Sequence, residues 1–223
     1  MNKRKYNQVC ALSASLDLIG ERWTLMIIRE LLFGSRRYTD ILRGTPGLGT
    51  NLLALRLKEL EAANLIEQRR LPPPAASSVY ELTEYGRTTL TPIIRALTNL
   101  GVDFLRYPPD ADQFVPASST MGALSKFFKR ELTSGYSGAA ECHTEHDLFH
   151  CAIESGELTA LGFGAWPQAN LVFLAETAVY MGLIVGYITV ADALANGNLA
   201  IHKGSTTEAA AFFAQFEADF APL

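Results

Sequence analysis

A reversal of charge near the middle of the chain restricts its folding more than any other feature. Up to Tyr107 there are 15 Lys and Arg against 10 Asp and Glu, a balance of +5; from Pro108 onward the counts are 4 against 13, a balance of −9. The reversal falls at Tyr107-Pro108-Pro109-Asp110-Ala111-Asp112, which reads as a basic module joined to an acidic one. A length of 223 residues fits two small domains. The expected division is residues 1–107, a linker over 108–117, and residues 118–223. With 48% hydrophobic and 19% charged residues both modules can bury cores, which excludes a disordered or collagen-like chain.

The uncharged apolar stretch over residues 177–191 of the acidic half holds 15 residues and two glycines, fewer than the roughly 20 a bilayer requires. The basic start Met1-Asn2-Lys3-Arg4-Lys5 is not followed by an apolar run and cleavage site. No membrane partner and a cytoplasmic location are therefore expected. Three cysteines, Cys10, Cys142 and Cys151, are too few and odd in number for a disulfide scaffold and are expected as thiols.

In the basic half, Leu12, Leu16 and Ile19 recur at helical spacing up to Gly20, and Leu25, Ile28, Leu31 and Leu32 repeat the pattern up to Gly34. Thr39 is the expected N-cap of a brief helix through Ile41 and Leu42, followed by the breaker-rich turn Gly44-Thr45-Pro46-Gly47. A further helix begins near Thr50, presents Leu53, Leu57 and Leu60 on one face, and ends at Asn64, which tolerates a left-handed C-cap. Helix, glycine-containing turn, helix is the helix-turn-helix order. Strands over residues 65–70 and 79–82, separated by a proline-rich loop, then form a hairpin, the wing. Thr83 caps the next helix, and Pro92 opens or kinks a last one with Ile93, Leu97, Leu100 and Phe104 on one stripe. That stripe either packs within the domain or is shared across a homodimer.

The run from Cys10-Ala11 to Ile19-Gly20-Glu21-Arg22-Trp23-Thr24, then Gly34-Ser35-Arg36-Arg37-Tyr38-Thr39-Asp40-Ile41-Leu42, Leu55-Arg56-Leu57-Lys58-Glu59-Leu60-Glu61 and Tyr80-Glu81-Leu82-Thr83-Glu84-Tyr85-Gly86, resembles the HxlR family of bacterial winged-helix transcription regulators. The resemblance covers about residues 6–106. It departs at Ala11, where Pro often follows the cysteine, and at Asn64, where Gly is usual. It implies a homodimer on double-stranded operator DNA.

With Leu53, Leu57 and Leu60 turned to the core, Thr50, Asn51, Ala54, Leu55 and Lys58 point outward and Arg56 to the side. This set is the expected major-groove reader: Asn pairs with adenine, Arg with guanine, and an apolar side chain touches a thymine methyl. Arg36 and Arg37 before the first motif helix and Arg69 and Arg70 at the wing base suit phosphates, although each taken singly is also an ordinary solvated charge. Two-fold symmetry implies an inverted-repeat operator with half-sites about 34 Å apart or a multiple of it. Cys10, at a helix start near Lys3, Arg4 and Lys5, is either a thiolate sensor of oxidants and electrophiles, as in some members of the family it resembles, or a small buried hydrophobe.

The acidic half reads as an α+β domain. A short helix from Ser118 carries Met121, Leu124, Phe128 and Leu132; strands follow over residues 148–153, 158–163 and 171–174. Two helices then lead to a strand over 199–202, and Ser205-Thr206-Thr207-Glu208 is a capping box for a final helix bearing Phe212, Phe213, Phe216 and Phe220. Residues 171–216, including Gly186-Tyr187-Ile188-Thr189-Val190-Ala191-Asp192 and Gly204, resemble a sterol carrier protein type 2-like domain. The resemblance implies an apolar cavity with Phe173, Tyr180, Leu183, Ile184, Phe212 and Phe216 as its wall and a hydrophobic small-molecule effector; a closed core is the alternative.

Cys142, His143, His146, His150 and Cys151 crowd into ten residues, but strand alternation separates Cys151 from His150, so no metal is expected. No nucleophile elbow, P-loop or dinucleotide fingerprint is present, and neither a cofactor nor enzymatic activity is expected. The leading expectation is a ligand-responsive transcription regulator. The alternatives are a hydrophobic-ligand carrier whose winged helix contacts proteins only, and a thiol or metal stress sensor.

Overall fold

A computed structural model describes residues 5–73, 77–110, 112–131 and 135–218. The chain divides into two compact units, Met1–Val102 and Asp103–Leu223. The division falls ahead of the charge reversal, so the segment expected to link two domains is already part of the second. Tyr107 shows why: its hydroxyl donates to Ala178 O at 2.6 Å, and its ring meets Tyr187 edge-on at 4.9 Å.

The first unit runs α1 (Ala11–Ile19), α2 (Thr24–Leu31), β1 (Arg36–Arg37), α3 (Tyr38–Gly44), α4 (Thr50–Ala62), β2 (Ile66–Arg70), β3 (Ser78–Leu82) and α5 (Glu84–Val102). Its core is aliphatic: Ile27, Ile28, Leu31, Ile41, Leu53 and Leu60 are all essentially inaccessible, each contributing about 1.5–3 kcal/mol of burial. Asn64 takes the left-handed conformation, φ 56°, and Leu65 N–H returns to Leu60 O at 3.0 Å, closing α4 as its sequence suggests. Thr83 then joins β3 to the end of α4, its Oγ1 donating to Asn64 O at 2.7 Å and accepting from Gly86 N at 2.8 Å. Gly86 is required there, because a Cβ would lie 1.9 Å from Leu65 O.

Three local expectations are corrected. The N-cap of α3 is Arg37, not Thr39, and the Asp40 carboxylate accepts from Arg37 N–H at 3.3 Å. Pro92 lies inside α5 and starts no new helix. Pro92 and Thr88, whose carbonyl loses its helical donor, are both exposed, so water replaces the bond. The wing also gains a third strand. β1 pairs antiparallel with β3, Arg36 opposite Tyr80, giving the order β1-β3-β2; two residues are too few to show a strand periodicity.

The second unit contains α6 (Ala117–Phe127), β4 (Gly138–His143), β5 (Leu148–Glu154), β6 (Glu157–Phe163), β7 (Leu171–Ala175), α7 (Thr177–Ile184), α8 (Val190–Ala195), β8 (Leu199–Lys203) and α9 (Thr206–Phe213). The sheet order is β6-β5-β4-β7-β8, with β4 parallel to β7 and antiparallel to β5. β4 was not expected as a strand, since Gly138-Ala139-Ala140 are weak strand formers; its burial nevertheless alternates strictly. Ser155 and Gly156 both have positive φ, 51° and 80°, as a two-residue hairpin turn requires. The capping box of α9 forms, with Ser205 Oγ accepting from Glu208 N–H at 3.2 Å and the Glu208 carboxylate accepting from Ser205 N–H at 2.8 Å. Leu132 and Phe220 lie outside the described residues. Among the described residues no helix is long and apolar enough to cross a membrane.

Candidate nucleic-acid interface

α4 presents the face its leucine spacing implies. Leu53, Leu57 and Leu60 are buried, while Thr50, Asn51, Ala54, Leu55 and Lys58 are exposed in one strip along two turns. Leu55 is 45% exposed in the middle of that strip. The approach to α4 is built tightly. Leu48 is buried in the turn, Thr45 Oγ1 donates to Ile41 O at 2.7 Å, and the Tyr38 hydroxyl donates to Thr50 O in the first turn of α4.

The arginines separate into two groups, and two expectations are overturned. Arg56 does not reach outward: it is 7% exposed, donating to Glu59 at 2.7 Å and to Glu21 at 3.1 Å, so it ties α4 to the loop after α1. Arg36 is 6% exposed with the Glu30 carboxylate 3.9 Å away, and it does not present its guanidinium to a phosphate. Their spacing gave no warning, because each lies beside a residue that does point outward. Arg37 and Arg70 are exposed as expected. Arg69 is exposed but held by two bonds to Glu81 on the neighbouring strand, at 2.7 and 3.2 Å. This pair bridges a register in which Glu67 and Glu81 face each other directly. Hydrogen bonding by Arg69 holds the Glu81 carboxyl below its usual range. Of the basic residues expected to meet DNA, Arg37, Lys58 and Arg70 are thus exposed, with Arg69 exposed and oriented by Glu81.

Cys10 is the N-cap of α1 and is exposed, which overturns the buried-hydrophobe alternative. Backbone N–H groups of Ser13 and Leu12 at the helix start lower its thiol pKa. Lys3 and Arg4, expected beside it, lie outside the described residues.

In the second unit the six expected wall residues, Phe173, Tyr180, Leu183, Ile184, Phe212 and Phe216, are all buried. One inward-facing row of the sheet runs Phe149, Cys142, Phe173, Ile201 across four strands. Tyr180 of α7 meets Phe149 edge-on at 5.6 Å and donates to His143 O at 2.9 Å, while Phe212 and Phe213 of α9 lie 6.3 and 5.5 Å from Phe173. The histidine and cysteine cluster does not converge. Cys142 and Cys151 face the core, where burial pushes the Cys151 thiol up to about 12 and the Cys142 thiol well above its ordinary value. His143 and His150 project from the opposite face, His143 to Glu141 at 3.1 Å and His150 to Gly164 O at 3.0 Å while stacked on Trp166. Among the described residues no group of three His, Cys, Asp or Glu is placed to hold a metal ion.

Comparison with known proteins places the first unit. Residues 18–108 match the HxlR-like helix-turn-helix family. An uncharacterized HTH-type transcriptional regulator of Synechocystis sp., sll1512, is 34% identical over 97 residues, covering 44% of this chain and 71% of that protein. The HTH-type transcriptional regulator YodB of Bacillus subtilis is 32% identical over 116 residues, covering 52% of this chain and 94% of that protein. Among solved structures, the reduced form of YodB from B. subtilis is similar over 46% of this chain and 100% of that one, at 32% identity and a TM-score of 0.39. The family match ends at residue 108. By its helix-turn-helix, its wing, the family match and the two relatives similar in sequence, the chain belongs to the HxlR-like helix-turn-helix family.

Proposed function

We propose that the protein is a transcription regulator that binds operator DNA as a homodimer, with α4 in the major groove and the wing on the adjacent phosphates. The observation that carries this reading is the exposed strip Thr50, Asn51, Ala54, Leu55 and Lys58 on a helix whose opposite face is locked into the core. Membership of a helix-turn-helix family and the relatives named as transcriptional regulators support it. Dimerisation is supported by Leu97 and Leu100 of α5, 44% and 62% exposed, and by Leu12 of α1, 68% exposed, all apolar and unburied in the single chain. A second copy is the economical cover for such a surface in a unit this small.

The second unit is assigned as the effector module for a hydrophobic small molecule. Its resemblance to sterol carrier protein type 2-like domains and the burial of the six apolar side chains expected to form its wall support this. Such a molecule alters DNA affinity only to the extent that it binds two conformations differently. Titration of the chain with the upstream region of its own gene, in a gel shift against random duplex, tests the DNA reading. Preferred binding with affinity falling steeply in salt is expected; equal binding to both duplexes would reject it. Native mass spectrometry of the purified protein tests the effector module, with a retained apolar molecule as the expected finding.

The exposure and lowered pKa of Cys10 support a second reading, a thiol switch at the start of α1. Diamide or a quinone is expected to release DNA from the wild-type chain and to leave Cys10→Ser bound. Release of both alike would remove the switch. Cys142 and Cys151 serve as internal controls, because burial keeps both protonated.

A further inference from the structure

Glu30 is a buried carboxylate, 1% exposed, on the face of α2 that also carries Ile27 and Leu31. Its Oε1 accepts from Arg29 Nε at 3.2 Å and Nη2 at 2.8 Å, and its Oε2 lies 3.9 Å from Arg36 Nη2 on β1. Arg29 Nη2 also donates to Gly44 O, at the end of α3, at 2.9 Å. Gly44 lies directly against the carboxylate: a Cβ there would sit 2.2 Å from Glu30 Oε2, so the approach of α3 to α2 depends on glycine. Three elements therefore meet at one charge: α2, the C-terminal end of α3, and the outer strand of the wing sheet.

Burying a carboxylate carries a large desolvation cost, and an apolar residue would fill the same space without it. What the charge adds is direction, since charge-assisted and paired bonds fix angles that apolar packing leaves loose. α3 leads through a short turn into α4, and β1 is hydrogen-bonded to β3 of the wing. One link between helix and wing thus passes through Glu30, at the opposite end of α4 from the Thr83 bond that joins β3 to its C-terminus. We propose that Glu30 is a positioning residue for DNA reading, holding the α3–α4 pair and the wing at the spacing at which both engage one duplex. This rests on the reading of α4 as the groove-reading helix.

The test compares wild type and Glu30→Gln, as full chains, for binding to the preferred duplex and to random duplex by fluorescence anisotropy, with melting followed by circular dichroism. Glu30→Gln keeps the shape and removes the charge. Its affinity for the preferred duplex is expected to fall about 10- to 100-fold, the effect of one or two mismatched base pairs, with random-duplex binding changed less than about twofold. Random binding persists because Arg37, Lys58 and Arg70 stay exposed. Should Glu30→Gln lose its cooperative melt, Arg36→Gln, which leaves Arg29 on the carboxylate and removes the Arg36 charge beside it, carries the same expectation. A folded variant with an unchanged preference, a parallel fall of both affinities, or failure of both variants to fold overturns the proposal and leaves Glu30 a role in stability alone. A wild-type chain without preference overturns the α4 reading itself, and does so before any variant is compared.

Discussion

Truncating Phe212 to alanine is expected to destabilise the second unit by about 3–5 kcal/mol, the cost of removing a large buried ring. Phe212 is fully inaccessible, with ring centroids of Phe173, Phe213 and Phe216 at 6.3, 5.4 and 5.6 Å. The neighbours are themselves held on β7, on α9 and just beyond its end, so they collapse only partly into the space. By scanning calorimetry the transition of this unit is expected to fall by about 12–20 °C. Because the chain forms two compact units, the first-unit transition is expected to stay in place. The void left by the ring is lined by apolar groups, and benzene is expected to recover part of the lost stability. A shift under about 3 °C would mean that the Phe212 ring contributes little to the packing of the second unit.

The second large effect concerns DNA. Asn51→Ala is expected to weaken binding to the preferred duplex by about 1–3 kcal/mol for each copy engaged, the value of one good paired base contact, and to leave random-duplex binding nearly unchanged. Lys58→Ala, about two turns further along the same strip, is expected to act differently. It should weaken preferred and random duplexes alike and lower the slope of log affinity against log salt by about 0.9 per copy. The contrast follows from chemistry: an uncharged amide matches the hydrogen-bonding edge of a base, while an ammonium neutralises phosphate and releases counterions. The same salt slope for wild type and Lys58→Ala would take Lys58 off the interface.

Much of the first unit was legible because its helices carry long, clean apolar periodicity. The leucines of α4 define the core face and so, by exclusion, the exposed strip from Thr50 to Lys58. Hidden from that reasoning were the side chains whose orientation depends on a distant carboxylate. Arg56 turns inward to Glu21, 35 residues away in sequence, and Arg36 turns toward Glu30. A clue to the second existed: Glu30 sits on the apolar face of α2 between Ile27 and Leu31, where a charge needs a partner. In the second unit, β5 and β6 were visible from their alternation and turn. β4 was not, because alanine and glycine carry little strand signal and its partners β5 and β7 are supplied by tertiary pairing. The boundary between units was misplaced for a related reason. Charge marked where composition changes, whereas Tyr107 belongs to the second unit through one hydroxyl and one ring contact.

Cross-linking from α4 tests the central claim most directly. A photoreactive phenylalanine analogue in place of the exposed Leu55 should form an adduct with the preferred duplex on irradiation, competed away by the same unlabelled duplex and by high salt. Retained preferential DNA binding with no DNA adduct at this position, while the same probe at Arg70 cross-links normally, would show that α4 does not enter the groove.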